Sequence, residues 1–246
     1  MMNLMVRLAI IAVLALLARS PASADPVTIV AADKVKVSGI YYGDQDRAKP
    51  LILLFHQAGS NAGEYAAIAP RLNALGYNAL AIDQRSGGTG WGRDNQTVKE
   101  LRRNASFDEA LPDLRAALEW ALAEGCSHVL LLGSSYSAAL VFLLATERPD
   151  AVGAVLAFSP GEYLSQRDTV RRAASKVRVP VFVTSASDPA EVAEAGRIVQ
   201  AAASAVKRHY QPRHGVHGAS TLRADRNPAG VEENWTALQA FLAGTR

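Results

Sequence analysis

HVLLLGSSYSAALVFLLA, His128 to Ala145, changes character once along its length. It begins as a short apolar run suited to a buried strand and ends, from Ala138, as an apolar run dominated by Ala and Leu that suits a helix. Between them stand Ser134, Ser135 and Ser137. Serine is common in loops, so hydroxyls in a connection signify little by themselves. Here the connection joins a strand directly to a helix, and the pattern G-x-S-x-S, Gly133 to Ser137, sets Ser135 between two small residues. A strained strand-to-helix turn needs small neighbours because the helix lies close to the strand it leaves, and it thrusts its central side chain out above the sheet. Ser135 is therefore a candidate nucleophile, with Ser134 and Ser137 as its steric and hydrogen-bonding neighbours.

Working outward, the same kind of strand recurs. Short apolar, β-branched or aromatic runs occupy 35–42, 51–56, 78–83, 128–133, 152–159 and 179–184, with a weaker one at 206–211 and an edge candidate at 27–31. The middle ones are apolar on both faces, as in a parallel sheet covered by helices. Helical patterns fall between them. Tyr65, Ile68, Leu72 and Leu75 recur at helical spacing before Gly76, and Ser106 with Glu109 forms a capping-box pattern ahead of Leu111, Leu114, Leu118 and Leu122. A later helix covers 190–206, and Val231, Trp235, Leu238 and Leu242 share one face of the last. The expectation is an α/β fold, a mostly parallel central sheet with helices on both faces. Two segments, 86–105 and 161–176, read as long loops; RRAASKVR, Arg171 to Arg178, reads as a solvated basic helix face within reach of the second. Ligands of such sheets bind beyond the carboxyl ends of the strands.

Composition narrows the class. The chain has 246 residues, 49% hydrophobic and 20% charged, enough apolar material for one large domain. A net charge of +3 with no dense Lys/Arg run argues against nucleic acid as a partner. Arg7, an apolar run from Leu8 to Ala18, and the small residues Ala22 to Ala24 form the layout of a signal peptide, residues 1–24, cut after Ala24. The run is too short to span a hydrocarbon core of ~30 Å. The expectation is a secreted or periplasmic protein with no stable membrane insertion after cleavage, folding as a single domain over 25–246. A retained anchor is the competing reading. Cys126 is the only cysteine, so no intrachain disulfide forms, and no Cys/His cluster has zinc spacing. Glycosylation sequons stand at Asn95, Asn104 and Asn234.

Two further strand ends carry chemistry. TSASDPAE, Thr184 to Glu191, offers Asp188 just past a strand; with Pro189 behind it, Asp188 also suits a helix N-cap. RHGVHGAS, Arg213 to Ser220, offers His214 and His217, and His217 is preferred because Gly218 follows it and it lies further from the strand end. Ser135, Asp188 and His217 then stand in the order nucleophile, acid, base, each after a different strand. A hydroxyl is a weak nucleophile at neutral pH, an imidazole must take its proton and later return it, and a carboxylate must fix the ring's tautomer. For the developing oxyanion, FHQAGSNAGEY, Phe55 to Tyr65, supplies a small-residue loop whose donor is the Ala58 N–H, with Gln57 second; the other donor is the N–H of Tyr136. His56 precedes the serine and is set aside as a base in favour of a loop-orienting role. Trp91 and Tyr163, with His56 and Gln57, are candidate pocket residues, Trp91 and Tyr163 suiting loop anchoring equally well.

These motifs together resemble the α/β-hydrolase superfamily over nearly all of the chain beyond the leader. HQAG at His56 looks like its H-G-x-G oxyanion loop with Gln57 in place of glycine, DQRSGG at Asp83 like its D-x-R-G-x-G turn, GSSYS like its nucleophile elbow and HG at His217 like its base. Size and the absence of a large lid insertion are similar to the dienelactone-hydrolase-like esterases, whose name-giving members use cysteine where Ser135 stands. The resemblance implies hydrolysis of a small-molecule ester or thioester through an acyl-serine, with no cofactor or metal and an open site for small or medium acyl groups. Acyl transfer, peptide cleavage or carbon–carbon hydrolysis on the same triad, or a binding protein of the same fold, are the alternatives.

Overall fold

Leu51–Phe55, strand β3, has every side chain fully buried. Leu51, Leu53 and Phe55 point into one apolar cluster and Ile52 and Leu54 into another on the opposite face of the sheet. Withdrawing each such side chain from water stabilises the fold by roughly 2 kcal/mol, and a strand buried on both sides needs a layer of helices on each. The computed structural model, which describes residues 23–44 and 46–245, has that arrangement.

Eight strands are present among the described residues: β1 (Ser23–Val30), β2 (Lys36–Gly43), β3, β4 (Asn78–Ile82), β5 (Val129–Ser134), β6 (Val152–Phe158), β7 (Val181–Thr184) and β8 (Lys207–Tyr210). They form one sheet in the order β1-β2-β4-β3-β5-β6-β7-β8. β2 runs antiparallel to both neighbours, and every pairing from β4 to β8 is parallel. Helices α3 (Leu111–Ala123), α4 (Tyr136–Glu147), α5 (Thr169–Ala174) and α6 (Pro189–Ala201) cover one face; α1 (Ala69–Ala74) and α7 (Val231–Leu242) cover the other. Trp235 of α7 is buried with its indole N–H given to the Leu222 carbonyl at 2.9 Å, so its bulk costs no orphaned donor.

Two segments expected as loops each contain a short helix, α2 (Gln96–Leu101) and α5. Six residues carry too few periodic positions to register as an apolar stripe, and α2 owes its start to Asn95, whose Oδ1 accepts the Val98 N–H at 2.9 Å. The capping box before α3 is half formed: Glu109 reaches back to the Ser106 N–H at 2.8 Å, but the Ser106 hydroxyl donates to the same carboxylate instead of capping the helix. Asn95 and Asn234 are buried, which leaves Asn104 as the exposed sequon. The expected signal peptide, 1–24, lies outside the described residues except for Ser23 and Ala24, which pair with Gly43 and Tyr42 as the first residues of β1.

The order of strands places the site. The chain steps from β3 to β4 on one side and from β5 onward to the other, so a crevice opens between the carboxyl ends of β3 and β5. The loop that follows Phe55 leaves β3 there and the turn of Ser135 leaves β5.

Candidate active site

Ser135 has φ 58° and ψ −122°, a conformation that L-residues avoid at about 1–3 kcal/mol. The turn holds it there by giving its N–H to the Phe158 carbonyl at 2.8 Å. Gly133 is obligatory, since a Cβ there would lie 2.4 Å from the Ser137 carbonyl oxygen. Ser137, in contrast, does what a glycine could not: its hydroxyl donates to the His56 carbonyl at 2.6 Å and accepts from Gln84 Nε2 at 2.7 Å, tying α4 to the ends of β3 and β4. Ser134 accepts the Ala219 N–H at 2.8 Å and donates to the Glu64 carboxylate at 2.7 Å. Of the three hydroxyls, two are fasteners and Ser135 is left to face the crevice.

His217 Nε2 lies 2.8 Å from Ser135 Oγ, and its Nδ1 lies 2.9 Å from Glu191 Oε1. The carboxylate beside the imidazole is thus Glu191, and the expectation of Asp188 is corrected. Asp188 is exposed and is the N-cap of α6, its Oδ1 accepting the Ala190 and Glu191 N–H groups at 2.9 and 3.1 Å. A carboxylate spent on the helix end points along the axis. Glu191, in the helix's first turn, has the extra methylene and the direction to reach back over the sheet. Asp188 and Glu191 stand three apart, and it is the direction in which each leaves α6 that separates the cap from the partner of His217.

Glu191 Oε2 also accepts the Ala186 N–H at 3.2 Å. The hydrogen bond to His217 holds the Glu191 carboxyl below its ordinary range against partial burial, and the same bond raises the imidazole above its usual value of 6.5. Gly218, at φ +69°, matters for closeness more than for flexibility: a Cβ would sit 2.4 Å from Ser134 Oγ. Its N–H goes to Ser159 Oγ at 2.9 Å. His214 is exposed and faces Glu233, away from the serine.

His56 is fully buried. Gln84 N–H donates to its Nε2 at 2.9 Å, so Nδ1 carries the proton and gives it to the Gln57 carbonyl at 2.8 Å. Burial lowers its pKa to about 4, which keeps the ring neutral and suits the loop-orienting role. The Gln57 N–H turns inward to Glu64 Oε2 at 2.9 Å, whereas the Ala58 N–H has no acceptor among the described residues. Tyr136 opens α4, where an N–H has no intrahelical partner, and its phenol is held by Ser86 and Gln84. One unspent backbone donor thus stands in the loop after β3, at Ala58, and one in the serine turn, at Tyr136.

Trp91 has an anchor's contacts: its indole N–H goes to Ser60 Oγ at 2.7 Å, and the guanidinium groups of Arg223 and Arg226 lie over its ring at 4.2 and 4.7 Å. Tyr163 stands nearer the serine. Its hydroxyl donates to the Ser159 carbonyl at 3.2 Å, and its ionisation is raised by burial and the charge of Glu191 against a hydrogen bond with Ser135. It walls a cavity of about 330 Å³ with Phe107 and Leu164. Phe107 stacks on Tyr136 at 4.4 Å. No group of three or more His, Cys, Asp or Glu among the described residues could hold a metal ion, and no helix among them is long and apolar enough to cross a membrane.

Residues 46–204 match the family model described as serine aminopeptidase, S33, a hydrolase family. No curated protein matches the chain. Among solved structures, it is similar to the esterase Pf2001 of Pyrococcus furiosus, at 18% identity and TM-score 0.66 over 91% of this chain and 93% of that one. It is also similar to a dienelactone hydrolase from Anabaena variabilis, at 17% identity and TM-score 0.70 over 92% and 99%. Est1E of Butyrivibrio proteoclasticus, solved with ferulic acid bound, aligns at 15% identity and TM-score 0.69 over 89% and 99%. At these identities the likeness is one of fold, that of the α/β hydrolases.

Proposed function

The chain belongs to the serine aminopeptidase S33 family of hydrolases, and from that premise we propose that it cleaves carboxylic esters through an acyl-serine on Ser135. The observation that carries this reading is the unbroken line from Ser135 Oγ through His217 to Glu191, at 2.8 and 2.9 Å. Ser135 Oγ attacks the ester carbonyl carbon while its proton passes to His217 Nε2. Glu191 accepts the Nδ1–H throughout, fixing the tautomer and stabilising the imidazolium. The carbonyl oxygen, now an oxyanion, takes the N–H groups of Ala58 and Tyr136. Collapse breaks the bond to the alcohol oxygen, which leaves with the proton from His217. Water then attacks the acyl-serine, giving His217 a proton that returns to Ser135 as the acid departs.

Esters are favoured over peptides because an aminopeptidase must hold its substrate's ammonium with a carboxylate. The acids near the crevice are committed: Glu191 to His217, Asp188 to the α6 cap, and Asp108 to the Ser165 N–H and hydroxyl. The cavity is walled by Phe107, Tyr163 and Leu164 with Ser106, Asp108 and Ser165 on its polar side, and the apolar wall suits an aryl or alkyl group of modest size. The similarity to proteins named as esterases supports the same class. Residues 1–24 support export to the periplasm or medium; the exported protein then begins at Asp25, which N-terminal sequencing reads directly.

The deciding experiment is reaction with a fluorophosphonate, followed by peptide mapping. Ser135 carries the label, and Ser135→Ala removes it together with turnover of short p-nitrophenyl esters. Faster turnover of aminoacyl p-nitroanilides than of those esters would replace the reading with a peptidase, and label on any other residue would displace Ser135.

A further inference from the structure

Beneath the crevice lies a carboxylate that the reaction above does not use. Glu64 is fully buried in a short 3-10 turn, Ala62–Tyr65. The turn is fixed at its start by Asp83 Oδ1, which accepts the Ala62 N–H at 2.8 Å, and Arg223 donates to the Glu64 backbone carbonyl at 2.9 Å. The side chain accepts three hydrogen bonds: the Gln57 N–H at 2.9 Å and Ser60 Oγ at 3.2 Å on Oε2, and Ser134 Oγ at 2.7 Å on Oε1.

The Trp91 indole N–H points into Ser60 Oγ and the Ala219 N–H into Ser134 Oγ, and each hydroxyl gives its own proton to Glu64. Burial pushes the Glu64 carboxyl up, and the three hydrogen bonds it accepts oppose that shift. Four segments converge on one side chain: the oxyanion loop through Gln57 and Ser60, the loop of Trp91 through Ser60, the end of β5 through Ser134, and the base loop through Ala219. Withdrawing the Gln57 N–H into Glu64 leaves Ala58 as the next backbone donor.

Resting on the serine-hydrolase reading above, we infer that Glu64 is a positioning residue of the reaction, holding the Ala58 N–H and the His217 loop in register with Ser135. Packing alone does not call for a carboxylate here, because burying one is costly unless its acceptors are filled. Glutamine at this position keeps an acceptor oxygen for the Gln57 N–H and Ser60 but turns an NH₂ to Ser134 Oγ, so that bond reverses and loses its charge. Displacement of a reacting group by even about 1 Å can cost ~100-fold in rate.

The test is Glu64→Gln, compared with the parent on an ester that the parent turns over. Active-site titration with a fluorophosphonate first establishes that the parent is labelled at Ser135; an unlabelled parent sinks the underlying reading and is distinguishable from failure of this one. Given a labelled parent and a folded variant by circular dichroism, kcat and the labelling rate fall about tenfold or more while KM stays within about threefold. The acid limb of kcat/KM also moves to lower pH. The charges facing His217 are Glu191 and Glu64, with Arg223 facing Glu64 from the other side, and removing the Glu64 charge removes one that favours the imidazolium. A fall in melting temperature with kcat and labelling unchanged overturns the inference. If Glu64→Gln does not fold, Ser134→Ala carries the test, since it removes the hydroxyl that bridges Glu64 to the Ala219 N–H and leaves the Gln57 and Ser60 ties in place; kcat and labelling then fall about threefold or more, and their persistence at parental values overturns the inference equally.

Discussion

Glu191 and Asp188 lie three residues apart in the first turn of one helix and do different work: Glu191 Oε1 stands 2.9 Å from His217 Nδ1, while Asp188 Oδ1 accepts the Ala190 and Glu191 N–H groups. One carboxylate meets the imidazole of His217 and the other caps the helix that carries the first.

This division separates two variants. Glu191→Gln leaves the imidazole in the wrong tautomer and lowers kcat by about 10³–10⁴-fold. Asp188→Ala loses the cap, costing about 1 kcal/mol of stability, with kcat per folded molecule within about threefold of the parent. Steady-state kinetics beside urea unfolding of both variants measures the contrast. A larger kcat loss in Asp188→Ala than in Glu191→Gln would return the acid to position 188.

The pH dependence follows from the same contact. His217 must be neutral to accept the serine proton, and its bond to Glu191 lifts it above 6.5, so the acid limb of kcat/KM has its midpoint above that value. Glu191→Gln moves that limb down. For stability the two groups act in opposite senses. The raised imidazole contributes fully below 6.5 and loses its contribution as pH rises through its folded value. The lowered carboxyl contributes fully above 4.5 and loses its contribution as pH falls through its own. The pair stabilises most between 4.5 and 6.5, and the stability that Glu191→Gln removes is greatest in that window, as urea midpoints across the range will report.

Ser137→Gly restores the residue most common at that place in the elbow motif, yet it destabilises this protein. The hydroxyl's bonds to the His56 carbonyl and Gln84 are lost, and glycine enters a helix. A loss of about 1–3 kcal/mol is expected from two buried hydrogen bonds and helix propensity. A melting temperature equal to or above that of the parent would contradict the fastening role.

Gly218→Ala tests the close approach beside the base. At φ +69°, with a Cβ 2.4 Å from Ser134 Oγ, the methyl group must push the base loop away from β5. Fluorophosphonate labelling slows by about tenfold or more as His217 leaves Ser135, whereas Gly125→Ala, also at positive φ but in open space, loses stability without slowing the reaction.

Much of this was legible in the chain. Leu51 to Phe55 and Val129 to Leu132 declare buried parallel strands because a run apolar at every position can satisfy both faces only between two helical layers. Ser135 is marked by the small residues on either side of it, and His217 by its place after the last strand. Those signals are local, since each depends on what the backbone must do within a few residues. α2 is not legible because six residues show no period, whereas α5 shows in part as the basic helix face that begins at Arg171.

By itself the sequence determined the layered α/β sheet, the strand-to-helix turn that exposes Ser135, and the candidacy of His217, all through hydrophobic pattern and turn sterics. Only the tertiary structure decided which carboxylate meets the imidazole, that His56 stays buried and neutral, and that Glu64 takes donors from the loop after β3 and from the end of β5. Those outcomes depend on the direction in which a side chain leaves its helix and on distances between strands far apart in the chain. Asp188 and Glu191 are equally acidic in a list of residues, and the turn of α6 between them aims one along the helix axis and the other at His217.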